Sequence, residues 1–160
     1  MGCIDSYAYR LLGSKLLRQT PVPRMSSILR ILVVDDHEIV RRGICALLRR
    51  EPDFEVVCDA ADGLQAVREA ERLQPNIVVL DITMPRMNGL EAATRIREVA
   101  PSAEIVFLSQ HDSLEIIKEA LLRGGRGYLV KSAASKELVT AVRSVSKKKR
   151  YLNARFAVGA

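Results

Sequence analysis

From residue 30 onward the chain alternates short, almost continuously apolar runs with longer stretches in which apolar residues recur at helical spacing. The short runs fall at 31–34, 55–58, 77–80, 105–108 and 128–130. Their nearly continuous apolar character predicts strands of a parallel sheet covered on both faces, since a half-exposed strand would alternate with polar residues. Between the runs, Val40, Gly43, Ile44, Leu47 and Leu48 share one face of a predicted helix while Arg41, Arg42, Arg49 and Arg50 face elsewhere. The same period groups Ala66, Val67, Ala70 and Leu73, then Ile116, Ile117, Ala120 and Leu121, then Leu138, Ala141, Val142 and Val145. The stretch 90–100 is less regular but still helix-like. This pattern predicts an α/β domain in which five βα units, joined by right-handed crossovers, form a doubly wound five-stranded parallel sheet with helices on both faces. Ligands of such sheets bind beyond the carboxyl ends of the strands, near the topological switch point.

The residues at those strand ends carry chemistry. Asp35 and Asp36 follow the first strand, Asp81 the third, Ser109 the fourth and Lys131 the fifth. Carboxylates converging on one rim repel one another, and a hard divalent cation such as Mg²⁺ or Mn²⁺, which takes oxygen ligands, relieves that repulsion. Together the acids, hydroxyl and ammonium describe a phosphoryl site: Asp81 as carboxylate nucleophile, Asp35 and Asp36 holding the metal, Ser109 and Lys131 holding phosphate oxygens. Each residue alone has a plainer explanation, an aspartate as a helix cap, Ser109 as a loop hydroxyl, Lys131 as a solvated charge. Their joint placement after strands one, three, four and five is what makes the chemical reading specific.

Composition narrows the picture. A chain of 160 residues, 48% of them apolar and 4% aromatic, fits one globular domain with short extensions and leaves no room for a second full domain. No apolar run approaches the ~20 residues of a membrane span. Cys3, Cys45 and Cys58 are odd in number and not at metal-ligand spacing, so they read as reduced thiols of a cytoplasmic protein. The net charge of +6 suggests nucleic acid until it is located. Residues 1–29 hold four basic and one acidic side chain and residues 147–160 five basic and none acidic, leaving 16 basic against 18 acidic between them. The folded part is mildly acidic.

The segments ILVVDDHEIVRRGI at 31–44, IVVLDITMPRMNGLE at 77–91, IVFLSQHD at 105–112 and GYLVK at 127–131 resemble the response-regulator receiver domains of bacterial two-component systems, the NarL/FixJ type in particular. The resemblance covers about residues 28–148 and implies a flavodoxin-like sheet of order 2-1-3-4-5. It implies that Asp81 accepts the phosphoryl group, that Asp35, Asp36, Asp81 and the Thr83 backbone carbonyl hold Mg²⁺, and that Ser109 and Lys131 bind the phosphoryl oxygens. Tyr128, three residues before Lys131, matches the family's aromatic switch, which turns inward as Ser109 moves toward the phosphoryl group; alternatively it only packs a strand against a helix. The partners implied are a sensor histidine kinase or phosphotransfer protein, and a homodimer through the face of residues 113–147. Two positions depart from the pattern: Ser132 follows Lys131 where many receivers have proline, and the bulky Gln110 follows Ser109, leaving the lifetime of the phosphorylated form open.

The chain then reads as an N-terminal extension over 1–27, a receiver over 28–148 and a tail or linker stub over 149–160. Residues 1–6 formally fit an N-myristoylation pattern, a short motif with many false positives and one not expected of a bacterial protein. No helix-turn-helix DNA-reading domain, which would need roughly 60 more residues, is expected in this chain. Lys147 to Arg150 reads as a solvated helix end rather than a phosphate-binding patch. The expected function is a phosphoryl-switch receiver, not an enzyme beyond its own phosphorylation and dephosphorylation. The alternatives are a DNA-binding regulator truncated before its effector and a metal-dependent hydrolase, the last disfavoured because no substrate cap or separate general acid is visible.

Overall fold

A computed structural model of the chain describes residues 27–153. Six strands form one sheet: β1 (Leu29–Val34), β2 (Phe54–Ala60), β3 (Ile77–Leu80), β4 (Glu104–Ser109), β5 (Gly125–Val130) and β6 (Tyr151–Leu152). All neighbouring strands run parallel, in the order β2-β1-β3-β4-β5-β6. The helices are α1 (Glu38–Arg49), α2 (Gly63–Leu73), α3 (Gly89–Val99), α4 (Leu114–Leu122) and α5 (Ala134–Ser146).

Side chains of successive strand residues point to opposite faces, which divides the interior into two layers. Ile31, Val33, Val79 and Leu129 pack with Leu48 of α1 and Leu138 and Val142 of α5. Leu32, Val78, Leu80 and Phe107 pack on the other face with Ala66 of α2, Ile96 of α3 and Ala120 of α4. The small residues Ala66, Ala70, Ala92 and Ala93, all fully buried, let α2 and α3 lie close to the sheet and to each other. Polar side chains fix where helices begin: Asp62, Asn88 and Ser113 accept hydrogen bonds from the backbone N–H of Gln65, Glu91 and Ile116.

The sheet differs from the sequence expectation in one respect, having six strands rather than five. After α5 the chain turns sharply at Lys148, whose φ is +64°, and residues 151–152, inside the segment read as a tail, run back alongside β5. Two residues are too few to show a period, and their strand depends on distant groups. Glu104, buried at the start of β4, accepts from Lys148 Nζ at 2.7 Å and from Arg126 Nε at 2.7 Å, and Arg126 Nη1 donates to the Lys148 carbonyl at 3.0 Å. β5 is also longer than its apolar run, since it includes Gly125 and Gly127. Glycine weakens a strand, but a Cβ at Gly125 would stand 2.6 Å from the Phe107 ring, so packing demands it there. Among the described residues no helix is long and apolar enough to cross a membrane.

Candidate functional site

The strand order reverses between β1 and β3, and Asp35 and Asp81 continue directly from their carboxyl ends. The backbone N–H of Asp35 bonds to Ala60 O and that of Asp81 to Val34 O, so both aspartates sit in extended sheet geometry one step past the apolar core. Asp35 is fully buried and Asp81 is 3% exposed. Asp36 is half-buried beside them. One carboxylate oxygen from each of Asp35, Asp36 and Asp81 and one ring nitrogen of His37 lie within 4.8 Å of one another. Neither Asp35 nor Asp36 caps α1, whose cap position is His37 and has no side-chain cap bond.

Lys131 enters from the end of β5. Its ammonium stands 2.8 Å from Asp35 Oδ2 and donates to Asp81 Oδ2 at 3.1 Å. Burial pulls the Lys131 ammonium down, but the two carboxylates more than offset this and leave its pKa raised. Asp81 is pushed up to about 6, first by burial and then by the negative charge of Asp35, with Lys131 opposing. Two acid oxygens remain without hydrogen bonds although buried, Asp35 Oδ2 and Asp36 Oδ1. The first faces Lys131 without hydrogen-bond alignment, and the second lies 3.1 Å from His37 Nδ1. Buried carboxylate oxygens without an aligned hydrogen bond, grouped within reach of a third carboxylate, fit a hard divalent cation.

The rim is completed by the loops after β3 and β4. A cleft of about 80 Å³ is lined by Asp36, His37, Asp81, Thr83, Gln110 and Lys131. The loop after β3 can turn this tightly because of Gly89, where a Cβ would overlap the Asp81 carbonyl oxygen. Ser109 is fully buried at the end of β4 and its hydroxyl accepts from the His111 N–H at 3.1 Å. Tyr128 is also fully buried, its ring 6.5 Å from that of Phe107 and its hydroxyl donating to the His111 carbonyl at 2.7 Å. Burial raises the Tyr128 phenol, with Ser109 opposing.

The structure therefore brings Asp36, Asp81, Thr83 and Lys131 to one cleft with buried Asp35 grouped against its acids, and buries Ser109 and Tyr128 outside its lining. Two residues escaped the sequence reading. His37 lies against both Asp35 and Asp36, and His111 links the loops through its ring, 2.9 Å from the Thr83 hydroxyl. The signal was present: the chain has only two histidines, and each falls within three residues of a strand end.

Comparison with known proteins gives this arrangement a family. Residues 31–143 match the response regulator receiver domain. The chain belongs to the response-regulator receiver family. The transcriptional regulatory protein DegU of Brevibacillus brevis is 35% identical over 125 residues, which are 78% of this chain and 53% of that protein. The nitrate/nitrite response regulator protein NarL of Escherichia coli (strain K12) is 40% identical over 112 residues, 70% of this chain and 52% of NarL. This receiver chain thus spans about half the length of the curated relatives it matches. Among solved structures, a LuxR-family two-component response regulator from Aurantimonas sp. SI85-9A1 superposes with a TM-score of 0.79 at 36% identity, covering 82% of this chain and 94% of that one. The receiver is a signalling module of two-component systems, and the α/β parallel-sheet fold is that of its relatives.

Proposed function

We propose that this receiver accepts a phosphoryl group on Asp81 from a histidine kinase or phosphotransfer protein in the cytoplasm, and that the acceptance alters the face built from residues 113–147. The observation that carries the reading is the acid cluster itself: Asp81, buried carboxylate oxygens of Asp35 and Asp36 without an aligned hydrogen bond, and Lys131 ion-paired to both Asp35 and Asp81.

Asp35, Asp36, Asp81 and the Thr83 carbonyl would hold Mg²⁺ or Mn²⁺, which when bound supplies charge neutralisation for the incoming phosphoryl oxygens. The chain's own residues do the rest. Asp81 must be ionised to attack phosphorus, and the Lys131 ammonium favours that form. As the acyl phosphate forms, Asp81 Oδ bonds to phosphorus and the donor leaves with its electron pair. Lys131 then holds a phosphoryl oxygen in place of an Asp81 oxygen, and Ser109 holds another once its hydroxyl is freed from the His111 N–H. Gln110 lines the same cleft, and its bulk would bear on the access of a hydrolytic water and so on the lifetime of the phosphorylated form.

A donor protein must approach this rim. Beside Lys131 a groove of about 450 Å³ is lined by Val40, Gly43, Ile44, Leu47 and Ala134, and Ile39, next to Val40 in α1, is 87% exposed. An apolar surface so close to the acceptor fits the docking of a donor helix. The test is the rate of phosphoryl incorporation from acetyl phosphate in Mg²⁺ and in excess EDTA, for the native chain and Asp36→Asn. The reading expects incorporation only with Mg²⁺, slowed at least about 100-fold in Asp36→Asn at low Mg²⁺. Equal rates in EDTA would overturn it.

A further inference from the structure

We propose that the strap formed by residues 148–153 is a positioning element for Tyr128, holding that ring inward, and that strap docking and the state of the phosphoryl site are therefore coupled. This rests on the receiver reading above and adds to it a specific route from Ser109, at the end of β4, to the strap.

The strap meets Tyr128 directly. Leu152 is its register partner on the neighbouring strand, and the Asn153 N–H donates to the Tyr128 carbonyl at 3.1 Å. Adjacent residues of paired strands point to the same face, and Leu152 packs in the same apolar layer as Tyr128, with Ile116, Ile117 and Leu121 of α4. The inward Tyr128 ring and Leu152 thus bury surface in one shared layer, so docking of the strap and inward packing of the ring favour one another.

The strap is tethered at three other points, none of them part of the acid cleft. Lys148 and Arg126 meet on buried Glu104, Arg126 holds the Lys148 carbonyl, and the Tyr151 hydroxyl donates to Glu137 of α5 at 3.1 Å. Tyr151 packs on the α5 layer while Leu152 packs on the α4 layer, so two residues bridge both helices of the 113–147 face. At its other end the Tyr128 hydroxyl is bonded to the His111 carbonyl, and His111 is bonded to Ser109. A contiguous chain of contacts thus runs from Ser109 through His111 and Tyr128 to Asn153. A change that frees the Ser109 hydroxyl for a phosphoryl oxygen alters the first link, and the strap is the last.

Hydrogen exchange of the Asn153 amide, read by NMR, tests the coupling without any ligand. Tyr128→Phe removes the bond to His111 but keeps the ring. It should speed Asn153 exchange at least about fivefold while amides in the β1 and β3 core stay as protected as in the native chain. Unchanged Asn153 exchange overturns the proposal. The reverse arm uses beryllium fluoride with Mg²⁺ as a phosphoryl mimic. Coupling is reciprocal, so Leu152→Asp should raise the half-saturating concentration about fivefold or more, with Leu152→Met restoring the native value. Saturation of Leu152→Asp at the native concentration contradicts the coupling. If the native chain shows no saturable response to the mimic, the phosphoacceptor reading fails, and the Tyr128→Phe comparison still decides whether the strap positions Tyr128.

Discussion

Lys131 shows how the cleft balances its charges. Its ammonium reaches Asp35 and Asp81 together, so the buried acids are partly compensated before any cation or phosphate arrives. Replacing Lys131 with Met should slow phosphoryl incorporation from acetyl phosphate about 100-fold or more, the usual cost of losing one preorganised cationic or hydrogen-bond donor. Compensation is incomplete at Asp81, whose pKa stands at about 6 against an ordinary 3.8. The sign is that of a carboxyl raised in the folded state: the native protein binds the proton more tightly than the unfolded chain, so Asp81 costs stability as pH rises through that interval. In metal-free protein Asp81→Asn should therefore be more stable than the native chain at pH 7, by about 1–3 kcal/mol, and the advantage should shrink toward pH 4. Urea unfolding in EDTA at the two pH values checks this. Gly89 is a second single-residue constraint. Because a Cβ there would overlap the Asp81 carbonyl, Gly89→Ala should destabilise the fold by about 1–3 kcal/mol and displace the Asp81 backbone with it.

At the scale of elements, α1 exposes Ile39 and, lining the groove beside Lys131, Val40, without using either in the core. Ile39→Asp should leave phosphorylation by acetyl phosphate unchanged and reduce transfer from a phosphorylated kinase or phosphotransfer protein about tenfold or more, because only a protein donor needs the surface. Helix α5 is anchored elsewhere, by Arg143, which donates to Asp53 at 2.6 Å and to Glu51 at 2.7 Å and stacks over Phe54 at 4.6 Å. The Arg143 hydrogen bond holds the Asp53 carboxyl below its ordinary value. A carboxylate lowered in the folded state contributes stability above its unfolded pKa and loses it as pH falls through the folded one. Arg143→Gln should thus be less stable than the native chain at pH 7, and the difference should narrow in thermal melts as the pH falls below the ordinary aspartate value. The elements most legible in the sequence were those with a strong period, such as α1, and the unbroken run of β3. Those that escaped were set by contacts remote in sequence: the glycine-containing start of β5 by the Phe107 ring, and β6 by Glu104, 44 residues before Lys148.

Across the whole molecule, the doubly wound plan does most to make function readable. A parallel sheet sends every strand's carboxyl end to one rim, so Asp35, Asp36, Asp81 and Lys131 converge although up to 96 residues separate them. The strand-end rule was enough to name them. It was silent on His37 and His111, since a loop's turn, not its place after a strand, decides where the ring points. It was silent also on the inward packing of Tyr128, which depends on Phe107, Leu152 and the His111 carbonyl together. The central claim is that this rim makes an acyl phosphate on one residue, Asp81. The direct measurement is intact mass after incubation with Mg²⁺ and acetyl phosphate, for the native chain and for Asp81→Asn. The account predicts one phosphoryl adduct on the native chain, released by hydroxylamine, and none on Asp81→Asn. A folded native chain that gains no adduct, or an Asp81→Asn variant that gains the same one, would contradict it.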